Sequence, residues 1–476
     1  MVVQHNMQAM NANRMLNVTT TTQAKSTEKL SSGYKINRAA DDAAGLSISE
    51  KMRKQIRGLD QASTNAQDGI SAVQTAEGAL TEVHSMLQRM NELATKAANG
   101  TQSESDRTSI QNEIEQLTTE IDRVAETTKF NETYLLKGNG KTATVQIAAK
   151  DAGITGNLTG VGTGKATFTM AALKAGDTIS IGSKGYTIGT SIADVKTAAG
   201  KVKEGSSVTI NGTEYKIADK TDEKEKKYTQ DDIQALIQDG ATVIAGTQTY
   251  VAMQDGDAKK GTKADGVGDN DASIISASKA YDLIKEELKK ASSVGTDAGE
   301  DAKVAKATQK DGTAIGDAGY YSSTLTQVSF TIEEGTTESV QGLQMGLHVG
   351  ADADETNKIS FTINSMTSSG LGVQGLNVVD DTGAKATYAI DSIADAISKV
   401  SAQRSSLGAI QNRLEHTIAN LDNVVENTTS AESAIRDTDM AKQMVSYSNN
   451  NILAQAGQSM LAQANQSNQG VLSLLG

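Results

Sequence analysis

Apolar residues recur every three or four positions through two long stretches at opposite ends of the chain, and nothing constrains its fold more. The first stretch runs through Met52, Ile56, Leu59, Ala62, Ala66, Ile70, Val73, Ala76, Leu80, Val83, Leu87, Met90 and Leu93. The second runs through Ile393, Ile397, Val400, Leu407, Leu414, Ile418, Leu421 and Val425, with Arg404 and Gln411 interrupting it. Steps of three and four sustained over several heptads predict coiled-coil packing rather than isolated amphipathic helices. Between the two lies a middle rich in Gly, Thr and Ser. The expected fold class is therefore mainly α, a long coiled-coil-like bundle built from both termini, with a β-rich or α+β middle inserted between.

The chain has 476 residues, no Pro, no Cys and no Trp, and only 3% of it is aromatic. Helices without aromatics pack through Leu, Ile, Val, Met and Ala, which suits thin bundles. At an average usage near 5%, roughly 24 prolines would be expected. Their absence suits a chain that is threaded unfolded and refolds quickly, since Pro breaks helices and slows folding. The plain alternative is compositional drift. A net charge of -13 argues against nucleic acid as a partner. No long apolar run predicts a membrane span, and residues 1–30 show no secretory signal pattern. Without Cys there are no disulfides or thiolate metal sites.

Residues 1 to about 44 are polar, with Leu16 and Leu30 among sparse apolar points, and the β-branched run Thr19–Thr22 lowers helix propensity. A helix is expected from about 45 to 98, stopped by Asn99-Gly100, a pair suited to a left-handed C-cap. A second helix is expected to start at Ser103, with Asp106 completing a capping box. Residues 432–476 are rich in Gln, Asn, Ser and Ala, with Ile435, Met444, Ile452, Leu453, Met460, Leu461 and Leu475 as spaced apolar points. Both terminal segments carry too few apolar residues for a core of their own, so they are expected to become helical against a partner.

The middle contains an internal repeat. Gly176 to Tyr186, Gly205 to Tyr215 and Gly240 to Tyr250 each span the same ten-residue step around alternating apolar residues. Each predicts a β-hairpin, with Asn211-Gly212 supplying the turn in the second copy. Short helical patterns follow at 192–199 and 231–237, a longer one is expected over 272–291, and strands are expected at 328–332 and 359–363.

Chemistry finds little support. His5, His84, His348 and His416 stand alone, and no zinc helix, phosphate loop or nucleophile elbow occurs. The stretch Asp352 to Asn357 lacks the Gly and distal Glu of a calcium loop and reads as a solvated turn. No catalytic, cofactor or metal site is expected. An enzyme carried by the middle would need a nucleophile or His/Glu constellation. An adhesive display module could use Tyr186, Tyr215 and Tyr250, although those residues read first as hairpin core.

At the ends the residues resemble the bacterial flagellins. Leu30-Ser-Ser-Gly-Tyr34-Lys-Ile-Asn37, Asp41-Asp-Ala-Ala-Gly-Leu46-Ser-Ile-Ser-Glu50-Lys-Met-Arg53 and Leu87-Gln-Arg89-Met-Asn-Glu92-Leu93-Ala94 carry the likeness at one end. Ala431-Glu-Ser-Ala-Ile435-Arg-Asp-Thr-Asp439-Met-Ala-Lys442 and Asn451-Ile-Leu-Ala-Gln455-Ala-Gly457 carry it at the other, followed by Leu461 to Gln466 and Val471 to Leu475. It covers about 1–140 and 340–476. One departure is Asn468, where many flagellins have Pro.

The resemblance implies a structural, non-enzymatic subunit, exported unfolded without a cleaved signal and polymerised into the extracellular flagellar filament. A flagellar junction protein shares the end-to-end plan and is the nearest alternative. The implied layout is 1–44 and 432–476 as inner-core segments, 45–140 and 340–431 as the bundle, and 141–339 as a variable, surface-exposed region. Implied partners are further copies of the same chain, an export chaperone on the C-terminal segment, filament cap and junction proteins, and the vertebrate Toll-like flagellin receptor. For the last, the resemblance puts Arg89, Leu93 and Glu113 on an exposed helical face. Leu93 also continues the heptad seam, which gives it a packing duty.

Overall fold

The structure, a computed structural model, describes residues 6–222, 226–256, 265–297, 299–309, 325–380 and 382–475, with side chains to 467. The chain divides into two compact units. One comprises residues 1–71, 346–361 and 409–476, and the other 72–345 and 362–408.

The helices follow from their caps and seams. Helix α1, Met7–Ser32, starts where Asn6 Oδ1 accepts from the Ala9 amide and stops at Gly33, whose φ of +78° is the left-handed C-cap conformation. The hydroxyls of Thr19, Thr20, Thr21 and Thr22 each donate to the carbonyl four residues back, at 2.9, 2.6, 2.7 and 2.8 Å. Those bonds satisfy the Thr hydroxyls within the helix, without adding to its stability. Helix α2, Ala43–Ala98, has 56 residues, about 84 Å at 1.5 Å per residue. Asp42 caps it by accepting from the Gly45 amide at 2.9 Å.

Helix α3, Glu104–Thr127, opens with the expected capping box, Ser103 and Asp106 bonding each other's backbone amides. The stop of α2 differs from the expectation. Gly100 does not take a positive φ. Instead the buried Arg107 guanidinium donates to the carbonyls of Ala97 at 2.8 Å and Asn99 at 3.3 Å. A cation from the next helix thus satisfies the carbonyl end of α2.

In the middle, helices α4 (Ile192–Gly200), α5 (Gln230–Leu236) and α6 (Ala277–Ser292) alternate with strands. The repeats are hairpins: Thr178–Ile181 with Lys184–Ser191, Ser207–Ile210 with Thr213–Ile217, and Thr242–Ala245 with Gln248–Met253. Among the described residues they share one eight-stranded sheet with Lys227–Tyr228 and Ile274–Ser276. Asn211 and Gly212 both have positive φ, the geometry that a two-residue hairpin turn needs. Helix α6 begins later than expected because Ile274 and Ile275 pair in parallel with Thr187 and Ile188, and Ser276 then caps it.

Two cores lie under this region. Val195, Val208, Ile210, Ile233 and Val243 fill one, with Tyr215 and Tyr250 packed against it. Phe168, Phe330, Tyr281, Ile284 and Leu288 fill the other, with Tyr186 against it. Strand Lys165–Ala171 pairs along its length with Gln327–Glu333. Lys303–Val304 and Thr308–Gln309 pair with the other side of Gln327–Glu333. The repeat tyrosines are therefore half-buried, packed against the hairpin cores.

Past a short helix α7 (Ser368–Leu371), helix α8 spans Ala384–Arg436 and α9 spans Met440–Leu475. Helix α8 extends beyond the Ile393 to Val425 seam at both ends. In the first unit Leu59, Ala62 and Leu421 are buried together, with Ala351 packed on them. Gly58 and Gly69 of α2 leave no room for a side chain there. A Cβ on Gly69 would fall 2.2 Å from Leu347 Cδ1, and one on Gly58 would fall 3.0 Å from Ala351 Cβ. In the second unit the α2 seam residues Val73, Leu80, Val83, Leu87 and Met90 are fully buried, as are Ile393, Val400 and Leu407 of α8. The seam interruption Arg404 reaches Glu77 at 3.7 Å.

Candidate assembly and recognition surfaces

Helices α1 and α9 lie antiparallel. Asn6 Nδ2 donates to the Ala464 carbonyl at 3.1 Å, Leu16 sits against Gly457, and Tyr34 bridges to Asp437 at the other end. The contact is thin. Among the described residues of these two helices Ser26 and Ala454 are buried, while Leu16, Leu30 and Leu461 are half-buried. Ile435, on the last turn of α8, is half-buried as well. Met444, Ile452, Leu453 and Met460 are exposed, Ile452 to 61% and Met460 to 64%. The Leu475 side chain lies outside the described residues.

Further exposed apolar side chains were not singled out from the sequence: Met15, Val18 and Val445, beside Met7 and Met10. A heptad step was the available signal, since Val445 and Ile452, and likewise Leu453 and Met460, are seven apart. Scattered exposed apolar residues are ordinary, but a helix pair with this many on its outer faces is an unsatisfied surface.

Where α1 and α9 join α2 and α8, Tyr34 is the centre of a polar cluster. The guanidinium groups of Arg53 and Arg436 both approach its ring, 5.5 and 4.9 Å from the ring centroid. Arg53 Nη2 donates to the Tyr34 hydroxyl at 3.2 Å and Nε to Glu432 at 3.1 Å. That hydroxyl, together with Glu432, holds the Arg53 guanidinium in its charged form beyond the usual arginine range. Arg436 donates to Glu50 at 2.7 Å. The amides of Lys35 and Thr438 donate to the carbonyls of Arg436 and Gly33 at 2.6 and 2.9 Å, and Ile36 is buried beneath. Sequence reading met Tyr34, Glu50 and Arg53 only inside a family motif. Their convergence with α8 is a tertiary fact.

The expected recognition residues meet on α2 and α3, with one correction. Arg89 Nε donates to Glu113 Oε1 at 3.0 Å, and Nη1 donates to Glu92 at 3.2 Å. All three side chains are well exposed. Those carboxylates raise the Arg89 pKa above its usual range. Leu93, expected on the exposed face, is only 3% exposed. The heptad seam takes it inward, so it forms the floor of a shallow depression rimmed by Arg89, Lys96, Asp106 and Glu113.

For other chemistry, no group of three or more His, Cys, Asp or Glu that could hold a metal ion occurs among the described residues. No described helix is long and apolar enough to cross a membrane.

Long seamed helices, a thin terminal pair with an apolar exterior and an inserted β-rich middle define a class: helical subunits that complete their packing by self-association. Residues 3–141 match the bacterial flagellin N-terminal helical region, and residues 390–475 match the bacterial flagellin C-terminal helical region. A flagellin of Clostridium tyrobutyricum is 39% identical over 98% of this chain and 100% of its own length. Polar flagellin A of Vibrio parahaemolyticus is 34% identical over 100% of this chain and 99% of its own length. The flagellin of Bacillus subtilis is 34% identical over 100% of both. The chain belongs to the bacterial flagellin family and is a structural subunit of the flagellar filament.

Proposed function

We propose that this subunit polymerises through α1 and α9, whose outward apolar residues become buried only against neighbouring copies. The exposed set Met444, Ile452, Leu453 and Met460, beside Met10 and Val18, carries this reading. Burying one such side chain gains roughly 1.5–3 kcal/mol, so a handful per subunit sustains a polymer. The role is structural and outside the cell, with no catalysis and no contact to nucleic acid or membrane. The subunit travels unfolded, with an export chaperone covering the C-terminal segment, and it meets cap and junction proteins at the filament ends. The exposed Arg89–Glu113 pair over the Leu93 floor is the surface offered to the vertebrate Toll-like flagellin receptor.

The test is truncation. Removing residues 1–40 or 436–476 should abolish polymerisation and leave a folded, soluble monomer. Ile452→Asp should do the same within the full chain. Long filaments from either truncated protein would refute the assignment.

A further inference from the structure

We infer that Tyr34 is a positioning residue for polymerisation, fixing the angle at which α1 and α9 leave the start of α2 and the end of α8. The inference rests on the filament reading and adds a residue-level determinant to it. Two joints have to be held. Residues 33–42 link α1 to α2, and Asp437, Thr438 and Asp439 link α8 to α9. A three-residue break between helices leaves enough free dihedral angles for the pair to swivel.

The cluster at Tyr34 ties both joints at once. The backbone bridge between Tyr34 and Asp437 sews the two linkers together. The ion pairs are reciprocal: Arg53 of α2 reaches Glu432 of α8, and Arg436 of α8 reaches Glu50 of α2. Tyr34 brings a linker side chain to these helix-borne ion pairs, and both guanidinium groups approach its ring. Arg436 Nε is buried without a hydrogen-bond partner, so the negative face of the ring offsets that edge of the charge. Moving the linker would separate ring from cation, and the angle is thereby set.

In a monomer a change in this angle has little effect on stability, because the exposed faces of α1 and α9 meet only water. In a helical polymer every subunit repeats the same angle, so an error of a few degrees recurs at each contact. Loss of the clamp should therefore appear in growth and filament shape far more than in monomer melting.

The experiment adds purified monomer to wild-type filament seeds and measures the critical concentration, the monomer melting midpoint and the filament shape by electron microscopy. Tyr34→Leu should raise the critical concentration about tenfold and alter filament shape, with melting unchanged. Tyr34→Phe, which keeps the ring, should stay within about threefold of wild type. Arg53→Glu should fail to grow, and the double exchange Arg53→Glu with Glu432→Arg should regain growth. Wild-type growth and shape for Tyr34→Leu, or a growth loss matched by a fall in its melting midpoint, overturns the inference. If Tyr34→Leu does not fold, the exchange pair decides, and no recovery in the double variant overturns it. Failure of the wild-type monomer to extend seeds would instead sink the filament reading itself.

Discussion

The guanidinium of Arg107 donates from Nε to the carbonyl of Ala97 at 2.8 Å, and from Nη1 to the carbonyl of Asp380 at 2.8 Å. Arg107 is 2% exposed and meets carbonyl oxygens rather than a carboxylate. The carbonyl end of α2 carries the partial negative charge that makes such a burial tolerable. Arg107→Met should cost about 2 kcal/mol, since it leaves buried carbonyls without donors. Arg107→Lys should rescue little, because one ammonium cannot span the fork. Urea unfolding followed by circular dichroism measures both, and an unshifted midpoint for Arg107→Met removes this role.

Arg89 and Leu93 should separate in a receptor experiment. Arg89→Ala should weaken binding of the monomer to the receptor ectodomain by about 1–2 kcal/mol with melting unchanged. Leu93→Ala, at a position 3% exposed, should lower stability by about 2–5 kcal/mol through a core cavity. Equal effects of both on binding with neither on melting would contradict the buried placement of Leu93.

Lys150 is 7% exposed and donates to Ser392 Oγ, with Asp395 3.6 Å away. Burial pushes its pKa below the ordinary 10.5, and Asp395 only partly restores it. The folded state thus binds this proton less readily than the unfolded state. Its charge costs stability below the folded pKa, and stability is regained as pH rises from there toward 10.5. Thermal melts of wild type and Lys150→Met across that window should show the wild type gaining relative to the variant. A pH-independent difference would count against the burial penalty.

The second and third hairpins should be removable. Ala252 and Met253 pair in parallel with Thr190 and Ser191, so the chain leaves and re-enters at adjacent points. Excising 192–253 with a short Gly-rich turn removes the core around Val208 and Val243 and spares the one around Phe168 and Phe330. The rest should fold and polymerise, since closing such a short gap is favourable. A wider cut over 170–325 should fare worse, because it takes Glu287, which accepts from the Tyr388 hydroxyl of α8 at 2.6 Å. Loss of the helical melting transition in the narrower deletion would refute its independence.

The long helices, the capping box at Ser103 and the hairpin repeats were legible from residue order alone. Those features are local. A heptad period or an Asn-Gly turn expresses its preference within a few residues, whatever surrounds it. The apolar poverty of the terminal segments was equally legible, and with it the need for partners. Relations between distant residues came only with the packed chain: Arg53 and Arg436 meeting at the Tyr34 ring, Arg107 closing α2, and Glu287 accepting from the Tyr388 hydroxyl. Leu93 belongs here too, because a seam residue and a surface anchor share one spacing until the bundle closes. A charge or hydroxyl has no intrinsic partner. Which one it meets is settled by how helices far apart in the chain come to lie side by side.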